Sequence, residues 1–265
     1  MNDSHSPHFI EAFLARQTQL TYAILGVNVL LFVLMLGASY ASLSTSLMVG
    51  SDTATLINFG AKTNNLLIQQ HQWFRFVTPI FLHIGLLHLG LNGYALWMVG
   101  PMVEKFYGAG RFAVLYLLTG IGGVIGSWLS TRSPHTPSAG ASGALFGLFG
   151  VLLVVSYKYR DLLPEPFRKA LRRDIFNVLV INFVFSLGNN SGWLSGGGGN
   201  GPMHMIDIGG HVGGLVTGAI LAALLPALPP SQINLSTREK WLVAICVLIV
   251  GVCFGLAYLL RPFHF

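Results

Sequence analysis

Charged residues are scarce in this sequence, where Asp, Glu, Lys and Arg make up 9% of the 265 residues. Ordinary soluble domains carry about 25%, so this chain has too few charges to coat a soluble surface. The formal net charge of +6 does not indicate nucleic-acid binding, because its Lys and Arg fall in loops between apolar runs. The shortage of charge therefore argues against a soluble domain and favours an integral membrane protein.

Cysteine and metal-binding motifs are also scarce. The two cysteines, Cys246 and Cys253, lie seven residues apart in one apolar run, which places them on one helix face but too far apart to form a disulfide. No disulfide framework or thiolate metal cluster follows from them. The sequence contains no H-E-x-x-H zinc motif and no pair of aspartates within its apolar runs. We therefore expect no metal ion and no cofactor.

Apolar residues are abundant, at 53% of the chain. Long apolar runs are typical of membrane-spanning helices, and this pattern predicts an all-α, polytopic membrane helix bundle. The predicted runs are roughly 20–37, 81–103, 112–130, 141–157, 175–190, 203–225 and 241–260.

Basic residues indicate how the bundle is oriented. With a cytoplasmic N-terminus, only Lys62, Arg75, Arg132 and Arg261 of the 15 lysines and arginines lie in outer loops. Because Lys and Arg collect on the cytoplasmic side, we predict that the N-terminus is inside and the C-terminus outside. The low charge and the polar N-terminus, which has no Arg-rich transit peptide, fit a bacterial inner membrane.

Two predicted outer segments are unusual in composition. Residues 38–80 are long and semi-polar and contain 71-HQWFRF-76, whereas residues 188–204 are rich in glycine. Glycine-dense segments are mobile, and this one leads directly into the run at 203–225.

Polar residues inside membrane-spanning runs are costly, so each is considered first as a candidate functional residue. Ser142 lies near the outer end of its run among small residues, and His211 lies at a similar depth with Gly214 and Gly218 on its helix face. Ser142 and His211 could supply a nucleophile and a general base. Alternatively, both could serve only in helix packing, where small residues allow close approach.

His88 and Asn92 are four residues apart and share one helix face. Two neutral donors of this kind could stabilise an oxyanion in a water-poor site. An interhelical polar clamp, worth about 1 kcal/mol, explains them equally well. We favour a catalytic site over helix packing because the four polar residues occur together, each predicted at the outer end of its helix.

These residues resemble the rhomboid family of intramembrane serine proteases. The matching elements are 73-WFR-75, His83, 88-HLGLN-92, 140-GASG-143 and 210-GHVGGLVTG-218. The resemblance implies a six-helix core over residues 20–225, a short cytoplasmic segment at 1–19, and a linker with one additional helix over 226–265. It also implies that the partners are the lipid bilayer and transmembrane protein substrates, which are cleaved near the outer face.

The resemblance further implies a role for each site residue. Ser142 is the expected nucleophile and His211 the expected base, while His88 and Asn92 are expected to bind the oxyanion together with the Ser142 N–H. Phe146, where many relatives have Tyr, is expected to pack on the base. Four glycines are expected to support the site: Gly140, Gly143, Gly214 and Gly218.

Asp207 lies one turn before His211 and suggests a triad. We expect a dyad instead, with the Asp207 side chain facing the aqueous end of the helix. The resemblance also makes residues 38–80 a membrane-dipping loop and residues 188–204 a cap over the site.

Two alternatives to a protease stay open. One is a non-catalytic member of the same fold that binds transmembrane clients, although such a protein is expected to lack Ser142 or His211. The other is a small transporter or channel, which broken helices and ionisable residues at the bilayer midplane would favour.

Overall fold

The computed structural model of the protein describes residue 13 and residues 15–39, 52–131, 133–190, 207–227 and 236–262. Within these residues the chain forms helices and two 3-10 turns, at Trp73–Phe76 and Thr78–Phe81. The helices, in chain order, are α1 (Gln19–Ala38), α2 (Thr53–Asn58), α3 (Asn64–Ile68), α4 (Leu86–Ser130), α5 (Ser142–Lys158), α6 (Glu165–Asn190), α7 (Ile208–Leu224) and α8 (Thr237–Leu259).

The predicted membrane helix bundle is confirmed. By length and composition α1, α4 and α8 are each long and apolar enough to cross a bilayer, and α5 and α7 are shorter apolar helices of 17 residues. At 1.5 Å per residue, 17 residues extend about 26 Å, slightly less than a typical hydrocarbon core. The seven predicted apolar runs correspond to six long helices in the described part of the chain, because α4 contains two of them.

Helix α4 is broken where the sequence predicts a loop between two runs. Gly108 has φ 78° and ψ 162°, a backbone conformation that favours glycine because it has no Cβ. The break divides α4 into a first arm, residues 86–107, and a second arm, residues 109–130. The first arm begins at Leu86 instead of residue 81, because Pro79 and its neighbours form a 3-10 turn.

Helix α6 begins ten residues earlier than the predicted run at 175–190. Its first turns include part of the basic segment that the sequence suggested was a loop, and Glu165 pairs with Lys169 one turn later at 2.6 Å. Such a pair supports a helix start, since a carboxylate is favoured near the N-terminus. The hydrophobic pattern alone therefore missed a helical extension made of charged residues.

The centre of the bundle consists of the second arm of α4 with α5 and α7. Glycines from all three helices meet there, so the backbones come into direct contact. A Cβ atom added at Gly123 would lie 2.9 Å from the Gly143 Cα, and one added at Gly126 would lie 2.2 Å from the Gly209 carbonyl oxygen. Small residues permit this approach in membranes, where dispersion and hydrogen bonds replace the hydrophobic effect.

The segment between α1 and α4 packs as short helices and turns around a buried arginine. Arg75 is fully buried and its guanidinium donates to Gln72 Oε1 at 2.7 Å, Ile57 O at 2.9 Å and Ala61 O at 2.5 Å. Burial lowers the pKa of Arg75 to about 10. These three acceptors replace part of the water that the guanidinium loses on burial, although Arg75 Nη2 has no hydrogen-bond partner among the described residues. Because all three belong to the same segment as Arg75, the bonds hold its short helices and turns together.

Most of the predicted glycine-rich cap at 188–204 lies outside the described residues, which resume at Asp207. The start of the run predicted at 203 lies in the same gap, and the described helix α7 begins at Ile208.

Candidate active site

Ser142 is the first residue of α5 and is half-buried. The segment before it is fixed by Gly140, whose N–H donates to Pro79 O at 2.9 Å and whose φ is 144°. A side chain at this position would be strained and would also collide with His88. Glycine thus lets the chain turn sharply into α5, where the N–H groups of the first turn, that of Ser142 included, have no partner within the helix.

Helix α7 lies against α5 through facing glycines. A Cβ atom added at Gly214 would lie 1.9 Å from the Gly143 carbonyl oxygen, and one added at Gly218 would lie 1.9 Å from the Gly147 carbonyl oxygen. Because any side chain would separate these helices, glycine is required at both positions. The same face of α7 carries His211, which is 7% exposed.

Phe146 and His211 connect the two helices at the level of Ser142. Their rings stack at 3.9 Å between centroids with an interplanar angle of 9°. Ser142 lies four residues before Phe146 and therefore on the same face of α5, directed toward α7. His211 Nε2 is buried and has no hydrogen-bond partner among the described residues, so this nitrogen is available to a hydroxyl that approaches it.

His88 and Asn92 are both buried in the first arm of α4. His88 Nδ1 accepts a long hydrogen bond of 3.5 Å from the Ile84 N–H, which leaves Nε2 to carry the proton in a neutral ring. A Cβ atom added at Gly140 would lie 2.9 Å from His88 Nε2 and 3.7 Å from Ser142 Oγ. His88 Nε2 and the Ser142 hydroxyl therefore border the same small space.

Asn92 donates one amide hydrogen to the His88 carbonyl oxygen at 3.0 Å. An amide has two hydrogens, so one stays available for a ligand. The structure thus brings the four predicted polar residues to one region of the bundle, together with Phe146. Their chemical roles stay predictions.

Asp207 lies at the end of α7, immediately before its first residue, and its side chain bonds to partners within the protein. Its carboxylate accepts the Gly210 N–H at 2.9 Å and the Ser138 hydroxyl at 3.0 Å, because Asp207 is the N-cap of α7. The Asp207 carbonyl oxygen accepts the His211 N–H at 2.9 Å.

The sequence did not indicate that Ser127, Ser138 and Lys62 lie together near the candidate site. All three are joined by hydrogen bonds near the site, at distances of 2.8 to 3.4 Å. Isolated serines at helix ends are common, and no spacing connects them to Lys62, so the sequence held no signal for this cluster.

The comparisons with known proteins agree on the family. The Rhomboid domain model matches residues 70–227. The chain is 37% identical to the rhomboid protease GluP of Bacillus subtilis over 181 residues, which is 66% of this chain and 32% of that protein. It is 30% identical over 141 residues to the putative rhomboid protease YdcA of Bacillus subtilis, covering 53% of this chain and 67% of that protein.

A third relative carries a different description. The inactive RHOMBOID-like protein 8 of Arabidopsis thaliana is 37% identical over 95 residues, or 36% of this chain and 27% of that protein. The chain spans about a third of the length of GluP and less than that of RHOMBOID-like protein 8.

The fold and the site together define a polytopic helical membrane protein in which a serine and a histidine from two glycine-packed helices share a buried polar region. Within that class, this chain belongs to the rhomboid family.

Proposed function

We propose that this protein is an intramembrane serine endopeptidase that cleaves transmembrane substrates near the outer membrane face through a Ser142–His211 dyad. The observation that carries the proposal is the stack of Phe146 on His211, on the same face of α5 as Ser142. A relative named as a rhomboid protease supports it.

In the proposed reaction His211 Nε2 removes the proton from the Ser142 hydroxyl as its oxygen attacks the scissile carbonyl carbon. The tetrahedral intermediate collapses to an acyl-enzyme, and His211 returns the proton to the leaving amine. Water then attacks the ester, with His211 again acting as base, and releases the acid product and free Ser142. The hydroxyl makes no hydrogen bond to Nε2 among the described residues, and catalytic hydrogen bonds commonly tighten only when substrate binds.

The developing oxyanion would be bound by His88 Nε2–H, by the Asn92 amide and by the Ser142 N–H. These donors belong to groups that are buried or lie in the first turn of α5. Donors in a site with little water stabilise a transition-state charge more than the same donors do in water.

The substrate must unwind before it can react. In a membrane helix every backbone carbonyl is bonded within the helix, so Ser142 cannot reach one in a regular segment. We therefore expect substrates with helix-weakening residues near their outer ends.

We further propose the domain organisation and location that the resemblance implies. Residues 20–225 form the protease core, residues 226–265 add a linker and the helix α8, and residues 1–19 are a cytoplasmic segment. The membrane is a bacterial inner membrane, with the site on its outer side.

The test compares wild-type protein with Ser142→Ala and His211→Ala on a model transmembrane substrate in liposomes. We expect cleavage by the wild type and none by either variant, together with fluorophosphonate labelling that disappears in Ser142→Ala. Equal cleavage by wild type and Ser142→Ala, or none by any of them, would show that the proposal is wrong.

A non-catalytic role is the second candidate, favoured by the relative named as inactive. In that case the protein would bind transmembrane clients without cutting them. Co-purification of an intact client with the wild type, without cleavage and without labelling of Ser142, would support this function over the protease.

A further inference from the structure

A buried polar network lies next to the candidate site and includes a lysine. Lys62 is 1% exposed, and lysine is almost never fully buried unless it is paired. Its ammonium donates to Ser127 Oγ at 3.0 Å and to Thr131 Oγ1 at 3.2 Å, both at the end of α4. Its backbone pairs with Ser138 in both directions, at 3.0 and 2.8 Å. Lys62 is therefore held by α4 and by the segment that precedes α5.

The network continues from Lys62 to the start of α7. The Ser127 hydroxyl donates to Ser138 Oγ at 3.4 Å, and the Ser138 hydroxyl donates to Asp207 Oδ2 at 3.0 Å. Each hydroxyl accepts from one neighbour and donates to the next, so the bonds polarise one another in one direction. The ammonium is the positive end and the carboxylate is the negative end. Burial lowers the pKa of Lys62, and the Asp207 carboxylate offsets part of that effect.

Two members of the network, Ser138 and Asp207, are connected to the residues of the dyad through the backbone. Ser138 lies four residues before Ser142, in a segment that the Gly140 hydrogen bond ties to Pro79. Asp207 caps α7 through the Gly210 N–H, and its carbonyl oxygen accepts the His211 N–H. A displacement of Ser138 therefore moves the start of α5, and a displacement of Asp207 moves the turn that carries His211.

Stability alone is a weak reason for this arrangement. Removing two opposite charges from water costs about as much as their attraction returns, and apolar replacements of buried pairs are often neutral or stabilising. A directional network fixes geometry in a way that apolar contacts do not. Geometry matters here because a misplacement of about 1 Å can cost about 10²-fold in rate.

We propose that Lys62, Ser127, Ser138 and Asp207 are positioning residues that clamp the segment before Ser142 to the first turn of α7 and so set the separation of Ser142 and His211. The inference rests on the proposed function, since it concerns the alignment of the same two residues.

The experiment uses the full-length protein in liposomes and compares Ser138→Ala, Ser127→Ala and Ser138→Thr with wild type. Ser130→Ala is the matched control, because the Ser130 side chain also packs against the first turn of α7, at Gly209, but lies outside the network. Among the described residues its hydroxyl donates to the Ser127 carbonyl oxygen, at 3.2 Å in its own helix. The measurements are the rate of fluorophosphonate labelling at Ser142, kcat and KM on a model transmembrane substrate, and the melting temperature.

We expect Ser138→Ala and Ser127→Ala to lose about 10- to 100-fold in labelling rate and in kcat, with KM within about twofold of wild type because the substrate contacts are intact. Ser138→Thr keeps the hydroxyl and should keep most of the activity, and Ser130→Ala should match wild type. In a double-mutant cycle, Ser138→Ala combined with Asp207→Asn should lose little more than the stronger single variant, since both break one link.

The failures are distinguishable. If wild-type Ser142 is neither labelled nor active, the proposed function is wrong and this inference is wrong with it. If wild type is active and Ser138→Ala reacts equally fast, only this inference is wrong. It is also wrong if Ser138→Ala melts below the assay temperature, or if Ser130→Ala loses as much activity, because the role is then structural.

Discussion

At the scale of single residues, the candidate site depends on a few neutral side chains whose hydrogen-bonding capacity is partly unused. His211 Nε2 has no partner within the described part of the chain, and Asn92 uses one amide hydrogen on its own helix. A buried polar group without a partner typically costs about 1–3 kcal/mol. Groups held in this condition are suited to bind something that the free protein lacks, such as a reacting carbonyl.

We predict that Asn92→Ala lowers the rate of substrate cleavage about 10²-fold, because one oxyanion donor is lost. Initial rates in liposomes measure the effect. Asn182→Ala is the matched control, since Asn182 makes the same kind of bond to the carbonyl oxygen four residues earlier, at 2.9 Å, but in α6. Unchanged turnover in Asn92→Ala would contradict the oxyanion assignment.

Phe146 offers a second residue-level prediction. Phe146→Leu removes the ring that covers one face of His211, and we expect the cleavage rate to fall about tenfold, since such a pair contributes about 0.5–1.5 kcal/mol beyond burial. Phe146→Tyr preserves the ring and should stay within about twofold of wild type. If Leu and Tyr gave the same rate as Phe, the stack would have no role in orienting His211.

At the scale of secondary-structure elements, the glycines determine how the helices meet. The Gly143–Gly214 and Gly147–Gly218 contacts follow one another along α5 and α7 at a spacing of four residues, so the helices touch along a continuous line. Thr119 of α4 adds a hydrogen bond of 3.3 Å to the Ala144 carbonyl oxygen. The relative position of Ser142 and His211 is therefore a consequence of backbone contact.

We predict that Gly214→Ala abolishes cleavage, and that Gly214→Leu does so as well. The new Cβ atom would lie 1.9 Å from the Gly143 carbonyl oxygen, so α5 and α7 must separate, which typically costs about 1–3 kcal/mol and misaligns the dyad. Gly251→Ala in α8 is the control, because nothing lies within 4 Å of its added Cβ atom. Normal cleavage by a folded Gly214→Ala would show that close contact is not required there.

At the scale of the whole molecule, α8 packs against the rest of the bundle along its length, with specific contacts near both ends. Near its start, Glu239 is buried, accepts the Arg111 N–H at 3.1 Å and lies 3.7 Å from Arg111 Nε. Near its other end, Phe254 packs edge-on against Phe81. Helix α8 therefore contacts the bundle both near the break in α4 and at the turns that precede His88.

We predict that Glu239→Ala lowers the melting temperature by several degrees, because it removes a buried charged acceptor worth about 1–3 kcal/mol. Thermal unfolding in detergent micelles measures the shift. Glu165→Ala is the control and should leave the melting temperature unchanged, since the Glu165–Lys169 pair is exposed to solvent. A Glu239→Ala protein as stable as wild type would mean that α8 is not anchored through this carboxylate.

Local patterns in the sequence were sufficient to predict the membrane class, the helical bundle and the family. Apolar runs and glycine spacing are properties of consecutive residues, so they can be recognised without knowledge of the fold. The same patterns indicated Ser142, His211, His88 and Asn92 as one group, and the structure brings them to one region. The charged start of α6 escaped prediction because it carries no hydrophobic periodicity.

Only the tertiary structure determined how Lys62, Ser127, Ser138 and Asp207 are connected, and toward which group the Asp207 carboxylate turns. Ser127 and Lys62 are 65 residues apart in the chain, and Ser138 and Asp207 are 69 apart. A hydroxyl or an ammonium can bond to any acceptor within reach, so its identity does not specify a partner. The partner is decided when glycine-lined helices come into contact and carry distant polar groups to within about 3 Å of each other.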